Sequence, residues 1–558
     1  MQAVKRRLLP LVALAATLAL VAGCDSAPTE EAQSTQPPPA TPQSDVPPPL
    51  VAAVPLPDNA VDKAVGQLDG MVEELLAKSG IPGMAVAVVH GGKTVYAKGF
   101  GVTDVKTGAK VDPDTVFQLA SMSKPLGATV VAHQVGRGAI GWDTPIVSKL
   151  PWFALSDPAV TQMVTVGDLY SHRSGLPDHA GDLLEDLGYD RRAILERLRA
   201  LPLAPFRDSY AYTNFGLTAA AEAVATSAGK PWETLSEEVL YRPLGMNSTS
   251  SRFADYEKRP DRAVGHIHVD GRYEPLYVRN ADAEGPAGGA SSSVNDLTKW
   301  LAMVLADGKA GGQQLVEPDA LLPAVTPQSV SSPASEPAMR TGFYGFGFNV
   351  GTSSAARVEL SHSGAFELGS GTNFVILPSA DVAIVALTNA TPAGVPETLT
   401  AQFADLVQFG EVREDWYGLY HQAFADMEKP LGSLVGKQPP ANPAPPAPLP
   451  SYAGVYNNDF WGPAEVTEAG GTLGLRVGPR GEVWPLKHWD GNVFTFSFVS
   501  ENSPPGSVSE ATFDGNRLTL EYFDEEHNGV FLVSEATFDG NRLTLEYFDE
   551  EHNGRGPR

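Results

Sequence analysis

The sequence predicts an α+β fold followed by a small all-β module. Three observations carry this expectation. Strand-like segments occur early and late in residues 61–430 and bracket a mostly helical stretch, so one sheet drawing strands from both ends would carry helices on its faces. A proline-rich break follows, with seven prolines between Pro439 and Pro450. Beyond it, from Tyr452 onward, short β segments alternate with glycine-rich turns.

The chain has 558 residues, 42% of them hydrophobic, which suffices for a large core and more than one domain. Its formal net charge of -26 would repel phosphate backbones and excludes nucleic-acid binding as a main role. A single cysteine excludes a disulfide scaffold and a thiolate zinc cluster.

At the amino terminus Lys5, Arg6 and Arg7 precede an apolar run from Leu8 to Ala22. The run is short for a membrane span and has the charge-then-apolar order of a secretory signal. It ends Val21-Ala22-Gly23-Cys24, which resembles the lipobox of bacterial lipoproteins. That resemblance implies a signal over residues 1–23, cleavage before Cys24 and lipidation of its thiol. An ordinary signal cut after Ala22 or Gly23 is the alternative. Residues 24–60 hold ten prolines between Pro28 and Pro57 and read as an extended tether. No other stretch reaches the roughly 18 apolar residues of a spanning helix. A water-soluble body held near a membrane, on the extracytoplasmic side of the cell envelope, is expected.

Within residues 61–430, residues 61–80 read as an amphipathic helix with Leu68, Met71, Val72 and Leu75 on one face. Residues 84–89 and 94–99, joined across Gly91-Gly92, read as a β-hairpin. Residues 121–307 are mostly helical. Residues 343–350 return to strand, with Tyr344, Phe346 and Phe348 alternating with glycine. Residues 372–377 and 382–388 flank Pro378-Ser379-Ala380-Asp381 as a second hairpin, and residues 396–409 are helical with Leu399, Phe403 and Leu406 on one face. Residues 431–451 read as a linker and residues 452–532 as the β module, with strands at 472–477, 482–484 and 493–498. Residues 533–558 hold a duplication: Val508 to Gly529 recurs unchanged as Val533 to Gly554. Two units are too few for a solenoid. The first copy is expected to complete the module. The second is expected to pack loosely or displace the first, and its loss to leave activity intact.

Three short stretches could carry chemistry. Ser121-Met122-Ser123-Lys124 opens an apolar, helix-like segment, where a Ser and a Lys three apart share a face. A lysine whose pKa falls by desolvation can take the serine's proton, and the helix amino terminus favours negative charge. A simple serine N-cap is the bland alternative. Tyr212-Thr213-Asn214 lies in a polar loop before an apolar helix; a tyrosine beside a lysine can shuttle a proton, and an asparagine can hold an amine or a substrate amide. His362-Ser363-Gly364 ends a strand-like segment, where glycine would let a substrate backbone lie against the edge and the amide of Ala365 would pair with that of Ser121 as an oxyanion hole.

Ser-x-x-Lys, Tyr-x-Asn and a Lys/His-x-Gly triad on a strand, in this order, resemble the serine β-lactamase and penicillin-binding superfamily, in its class C-like branch. Supporting stretches are Thr165 to Leu176, Ala287-Gly288-Gly289 with Asp296, and Tyr344-Gly345-Phe346-Gly347. The resemblance covers residues 61–409. It implies a β-lactamase/DD-peptidase-like fold: an antiparallel sheet flanked by helices, with a mostly helical subdomain. It implies Ser121 as nucleophile, Lys124 and Tyr212 sharing general-base and general-acid work, Asn214 orienting Lys124 and substrate, and His362, Ser363 and Gly364 lining the substrate edge. No cofactor or metal is implied. The activity expected is that of a serine hydrolase acting through an acyl-enzyme: a D-Ala-D-Ala carboxypeptidase, D-aminopeptidase or esterase. A true β-lactamase and a non-catalytic binder of cell-wall peptides are the alternatives. Class C β-lactamases carry Lys-Thr-Gly at the third motif. Histidine there titrates near 6.5 and makes fixed carboxylate binding less assured. His266 and His268 lack a third ligand and read as surface or loop residues, and His172 and His179 as packing or capping groups. Trp484 and Trp489 read as core of the β module.

Overall fold

Strand β1 (Gly83–His90) and strand β2 (Lys93–Gly101) open the main sheet as a hairpin. Its two-residue loop is Gly91-Gly92, with φ 58° and 69°, the paired positive values of a turn whose twist matches the strands. The sheet is completed by β3 (Ser329–Ser332), β4 (Gly342–Tyr344), β5 (Asn349–Thr352), β6 (Val358–Phe366), β7 (Ser370–Leu377) and β8 (Val382–Thr388). The order is β2-β1-β8-β7-β6-β5-β4-β3 with every neighbour antiparallel. These are facts of a computed structural model that describes residues 46–425, 427, 429–523, 535–539 and 542–546. Residues Met1–Val51 form a unit of their own, whose described part holds a short turn over Pro48–Leu50. Cys24, the signal and most of the tether lie outside the described residues.

Period-two alternation gives the sheet two apolar faces. Met84, Val86, Val88, Ile384 and Ala386 pack on the helices α1 (Ala60–Val65), α2 (Leu68–Ser79) and, from the far end of the domain, Val395–Phe409, through Leu68, Val72, Leu75, Leu399 and Phe403. Ala85, Ala87, Phe374, Val385 and Leu387 face the helical middle of the chain. That middle includes α3 (Ser123–Gly136), α4 (Asn214–Ala228) and α5 (Val294–Leu305). Helix α3 is buried nearly all round; most of its residues are apolar or small, and the polar Ser123, Lys124, Thr129 and Gln134 are buried with them. The helix Val395–Phe409 is α6.

Several expectations need correction. The predicted helix over 61–80 is two helices, α1 and α2, with the break at Gly66 and Gln67, and Met71 is only half-buried. Residues 343–350 are not one strand. Gly347 at φ 84° and a Gly345 N–H to Phe348 carbonyl bond of 2.8 Å turn the chain, so β4 and β5 pair with each other while Phe346 and Phe348 enter the core. His362-Ser363-Gly364 lies within β6 and does not end it. The tether stops short of residue 60, because residues from Ala52 belong to the main body and the Ala53 N–H donates to Ala355 O at 3.0 Å.

The β module is an up-and-down meander of seven antiparallel strands: β9 (Gly454–Tyr456), β10 (Ala464–Ala469), β11 (Thr472–Val477), β12 (Trp484–Asp490), β13 (Val493–Phe496), β14 (Ser509–Asp514) and β15 (Arg517–Leu520). Leu473, Leu475, Trp484, Leu486, Phe494, Phe496, Phe513, Leu518 and Leu520 form its interior. Trp484 stacks on Phe498 at 4.3 Å, while Trp489 is only half-buried. The strand expected at 482–484 starts only at Trp484. The proline-rich linker is laid along this module: the Leu431 N–H donates to Ser507 Oγ (2.9 Å) and that of Ala444 to Asp490 Oδ1 (2.6 Å). The first copy of the duplication supplies β14 and β15. In the second copy, Glu535–Asp539 and Arg542–Glu546 pair with each other as a separate two-stranded sheet. The expected loose packing or displacement by that copy concerns side chains outside the described residues. No helix among the described residues is long and apolar enough to cross a membrane.

Candidate active site

Ser121 sits in a 3-10 turn, Ala120–Met122, that feeds directly into α3. Ala120 holds φ 48°, an uncommon value for a residue with a Cβ, fixed by the Ser123 hydroxyl donating to Ala120 O at 2.6 Å. One turn on, Lys124 is fully buried. Its Nζ lies 3.0 Å from Ser121 Oγ, 2.6 Å from Asn214 Oδ1 and 3.1 Å from Ala287 O. A neutral amine has two N–H groups and one lone pair. With the two hydrogens given to Asn214 and Ala287, the lone pair is left for the Ser121 hydroxyl. Burial pushes the Lys124 pKa down to about 8, against the opposing pull of Glu284 and Asp182.

Tyr212 closes the other side. Its ring lies 4.5 Å under Lys124 Nζ and its hydroxyl is a hydrogen-bond partner of Ser121. Burial holds this phenol well above its ordinary pKa, so it stays protonated at neutrality. Asn214 begins α4, and its Nδ2 donates to Asp182 Oδ2 at 2.8 Å; the same oxygen lies 2.8 Å from His179 Nδ1. Burial opposes the charge on His179, but the Asp182 hydrogen bond prevails and raises its pKa to about 9.

The third wall is β6. A Cβ on Gly364 would meet Leu119 O at 2.2 Å, Thr372 Oγ1 at 2.3 Å and Ser121 N at 3.1 Å. Glycine is needed there because the segment carrying Ser121 lies against the strand. The same contact sets the Ser121 amide beside Gly364.

The Beta-lactamase family profile matches residues 68–409. The chain belongs to the β-lactamase family. Its homologues are serine hydrolases, among them esterases and peptidases. Residues 438–546 match a domain of unknown function, DUF3471. The chain is 28% identical to an unguisins hydrolase of Aspergillus campestris, over 71% of this chain and 75% of that one. It is 25% identical to the D-alanyl-D-alanine-carboxypeptidase/endopeptidase AmpH of Escherichia coli, over 43% of this chain and 61% of the relative. The octameric penicillin-binding protein homologue of Pyrococcus abyssi shares the fold, with TM-score 0.54 and 20% identity over 82% of this chain and 98% of that one.

In this β-lactamase-family site, Ser121, Lys124, Tyr212 and Asn214 converge as the sequence predicts. His362 and Ser363 depart from expectation. The His362 Nδ1 lies 2.6 Å from Ser363 O and its Nε2 lies 2.8 Å from the Tyr344 hydroxyl, so both ring nitrogens have partners. Burial, reinforced by Lys124, depresses its pKa to about 3. It is neutral and offers no cation to a carboxylate. Ser363 alternates to the other face of the strand, where Asn373 Nδ2 donates to its Oγ at 2.8 Å and Glu397 is a second partner. Only the backbone of Ser363 is left for the cleft.

Sequence reasoning missed the charges behind Lys124. Arg279 Nη2 pairs with Glu185 Oε2 (2.6 Å) and Glu284 Oε1 (2.9 Å), all three buried. It also missed Tyr210, which joins Tyr344, Tyr212 and His172 in an aromatic cluster. No spacing rule points to these groups, which meet only through the fold. His172 packs as expected, with Nδ1 accepting the Thr213 N–H at 3.2 Å. His266 is fully buried, not a surface residue; its Nε2 accepts the Val105 N–H at 3.2 Å. No metal-holding cluster occurs among the described residues.

Proposed function

We propose that this β-lactamase-family chain is an extracytoplasmic serine hydrolase that opens amide or ester bonds through an acyl-enzyme on Ser121. Its leading substrates are D-configured peptides or cell-wall fragments, with small esters as side substrates, and its attachment to the membrane is through lipidated Cys24. The observation that carries the reading is the Lys124 amine, buried, lowered to about 8 and 3.0 Å from Ser121 Oγ. A non-catalytic binder has no use for a desolvated amine at that place.

In this reading the Ser121 oxygen attacks the carbonyl carbon while its proton passes to Lys124 Nζ. The oxyanion forms against the amides of Ser121 and Ala365. Lys124 and Tyr212 return the proton to the leaving group, and water then releases the acyl group from Ser121. The activity of one relative, a D-alanyl-D-alanine-carboxypeptidase/endopeptidase, agrees with a peptide-directed site. The neutral His362 disfavours efficient β-lactam hydrolysis, which relies on holding a carboxylate.

The test is intact mass of the full chain after mixing with a penicillin, alongside turnover of p-nitrophenyl butyrate. A mass gain on the wild type that is absent from Ser121→Ala, with ester turnover lost in the same variant, supports the reading. Penicillin destroyed without mass gain makes the protein a β-lactamase. Ester turnover surviving in Ser121→Ala removes Ser121 from the nucleophile's role.

A further inference from the structure

The β module reaches the candidate site through one short loop. Ser500 and Ser503 bridge to each other and close a turn that projects Glu501 into the main domain, where its side chain is 12% exposed. The anchoring is polar: Asp186 Oδ2 accepts from Ser500 Oγ (2.8 Å), Asn502 Nδ2 (2.9 Å) and the Tyr522 hydroxyl (3.2 Å).

Glu501 then touches two walls of the site at once. Its Oε1 accepts the Glu367 N–H at 2.8 Å and its Oε2 that of Leu368 at 3.4 Å. These amides directly follow β6, two and three residues beyond Ala365. Its Oε2 also lies 3.7 Å from Arg279 Nε. Arg279 holds Glu284, which heads the Gly285–Gly288 turn, and Ala287 of that turn receives Lys124 Nζ. The Arg279 guanidinium stacks 5.1 Å from the Phe366 ring, and its carbonyl accepts from Gln118 Nε2 at 2.8 Å, three residues before Ser121. One carboxylate of the appended module thus ties the strand end beside the oxyanion amides to the segment that orients Lys124.

We propose that Glu501 is a positioning residue for the Ser121–Lys124 site, and that the appended β module is part of the catalytic unit. The inference rests on the reading of Ser121 as nucleophile. Two features support it beyond distance. A buried guanidinium faces three carboxylates, from Glu185, Glu284 and Glu501, and the third comes only from the module. Such a group is not needed merely to glue two domains, since Tyr189 already donates its hydroxyl to Trp461 O at 2.8 Å elsewhere in the same interface. Misplacement by about 1 Å of groups that position a reaction costs up to about a hundredfold in rate.

The experiment measures kcat and KM for p-nitrophenyl butyrate, with thermal melting, on full chains. In Glu501→Ala, kcat is expected to fall by about ten- to hundredfold while KM stays within about threefold. Tyr189→Phe, which loosens the same interface away from the loop, is expected to keep kcat. A folded Glu501→Ala with wild-type kcat overturns the inference. So does a Tyr189→Phe variant that loses as much kcat. If Glu501→Ala does not fold, Glu501→Asp decides, since its carboxylate is drawn back by one methylene: lost kcat supports the inference and unchanged kcat overturns it. Ser121→Ala separates the two levels. Turnover surviving there removes the proposed function and this inference with it, whereas an inactive Ser121→Ala beside an unaffected Glu501→Ala removes this inference alone.

Discussion

Tyr344 donates its hydroxyl hydrogen to Nε2 of His362 at 2.8 Å. The direction follows from the other nitrogen: Ser363 O can only accept, so Nδ1 carries the ring hydrogen. His362 is therefore a neutral imidazole locked in one tautomer, and burial with Lys124 nearby keeps it so down to a pH of about 3. A substrate carboxylate gains no charge pairing there. Acylation by a penicillin and by its neutral methyl ester, followed by intact mass, is expected to differ by less than about tenfold. His362→Lys is expected to shift the preference toward the free acid. A wild-type preference for the acid beyond about tenfold would mean that a cation stands where His362 is neutral.

The second prediction concerns Lys124. Its active form as a base is the neutral amine, and the folded pKa of about 8 lies below the ordinary lysine value. The neutral fraction therefore grows as pH rises through 8. The kcat/KM for p-nitrophenyl butyrate is expected to climb about tenfold per pH unit below that point and to level off above it. Lys124→Arg keeps a cation that cannot deprotonate, and is expected to lose about 10²- to 10⁴-fold in kcat. A rate flat from pH 6 to 9, or an arginine variant within tenfold of wild type, would place the base elsewhere.

Legibility in the sequence followed the range of the interaction. Ser121 and Lys124 are one helical turn apart, so their meeting could be read from spacing alone. The Gly91-Gly92 hairpin and the face of α6 were legible for the same local reason. The break of residues 343–350 into β4 and β5 was not, because Tyr344, Phe346 and Phe348 satisfy strand alternation equally well. The turn at Gly347 is closed by the Gly345 N–H to Phe348 carbonyl bond and packed against Ala324 O, 2.0 Å from where a Cβ on Gly345 would sit, a tertiary contact that alternation does not carry. The outward face of Ser363 depends on which residue of the triad opposes Ser121, a matter of register with a segment more than two hundred residues away. Arg279, Glu185, Glu284 and Glu501 are scattered in sequence and carry no common spacing.

The third prediction turns on the pocket behind Ser363. Glu397 on α6 is buried there, and burial raises its pKa to about 7, while bonds to its own backbone and to Ser363 oppose the rise. Asn373 completes the cluster through Thr400, whose hydroxyl donates to its Oδ1 at 2.8 Å. A carboxyl whose folded pKa exceeds its unfolded value binds more protons when folded between those values, so it costs stability as pH rises from 4.5 to about 7. Glu397→Gln removes that cost without removing the shape. In urea unfolding, the variant is expected to gain about 1–3 kcal/mol over wild type at pH 8 relative to the difference at pH 4.5. A difference independent of pH would show that Glu397 is ionised in the folded protein.

The duplication allows a test with little ambiguity. Because Val508 to Gly529 and Val533 to Gly554 are identical, deleting residues 508–532 and deleting residues 530–554 yield the same chain. A single-copy protein is thus one molecule, whichever copy is regarded as lost. Its remaining copy would supply β14 and β15, whose Phe513, Leu518 and Leu520 are buried in the module. Ester turnover is expected to match wild type, and the melting temperature to stay within about 2 °C, a change of well under 1 kcal/mol for a domain of this size. Removing residues 508–558 takes both copies and strips two strands from the meander, together with the Tyr522 hydroxyl that Asp186 accepts. That chain is expected to melt earlier and to lose turnover, since the loop carrying Glu501 would be left on an unfinished module. A slow single-copy protein would mean instead that the second hairpin, paired on its own over Glu535–Asp539 and Arg542–Glu546, contributes to the site.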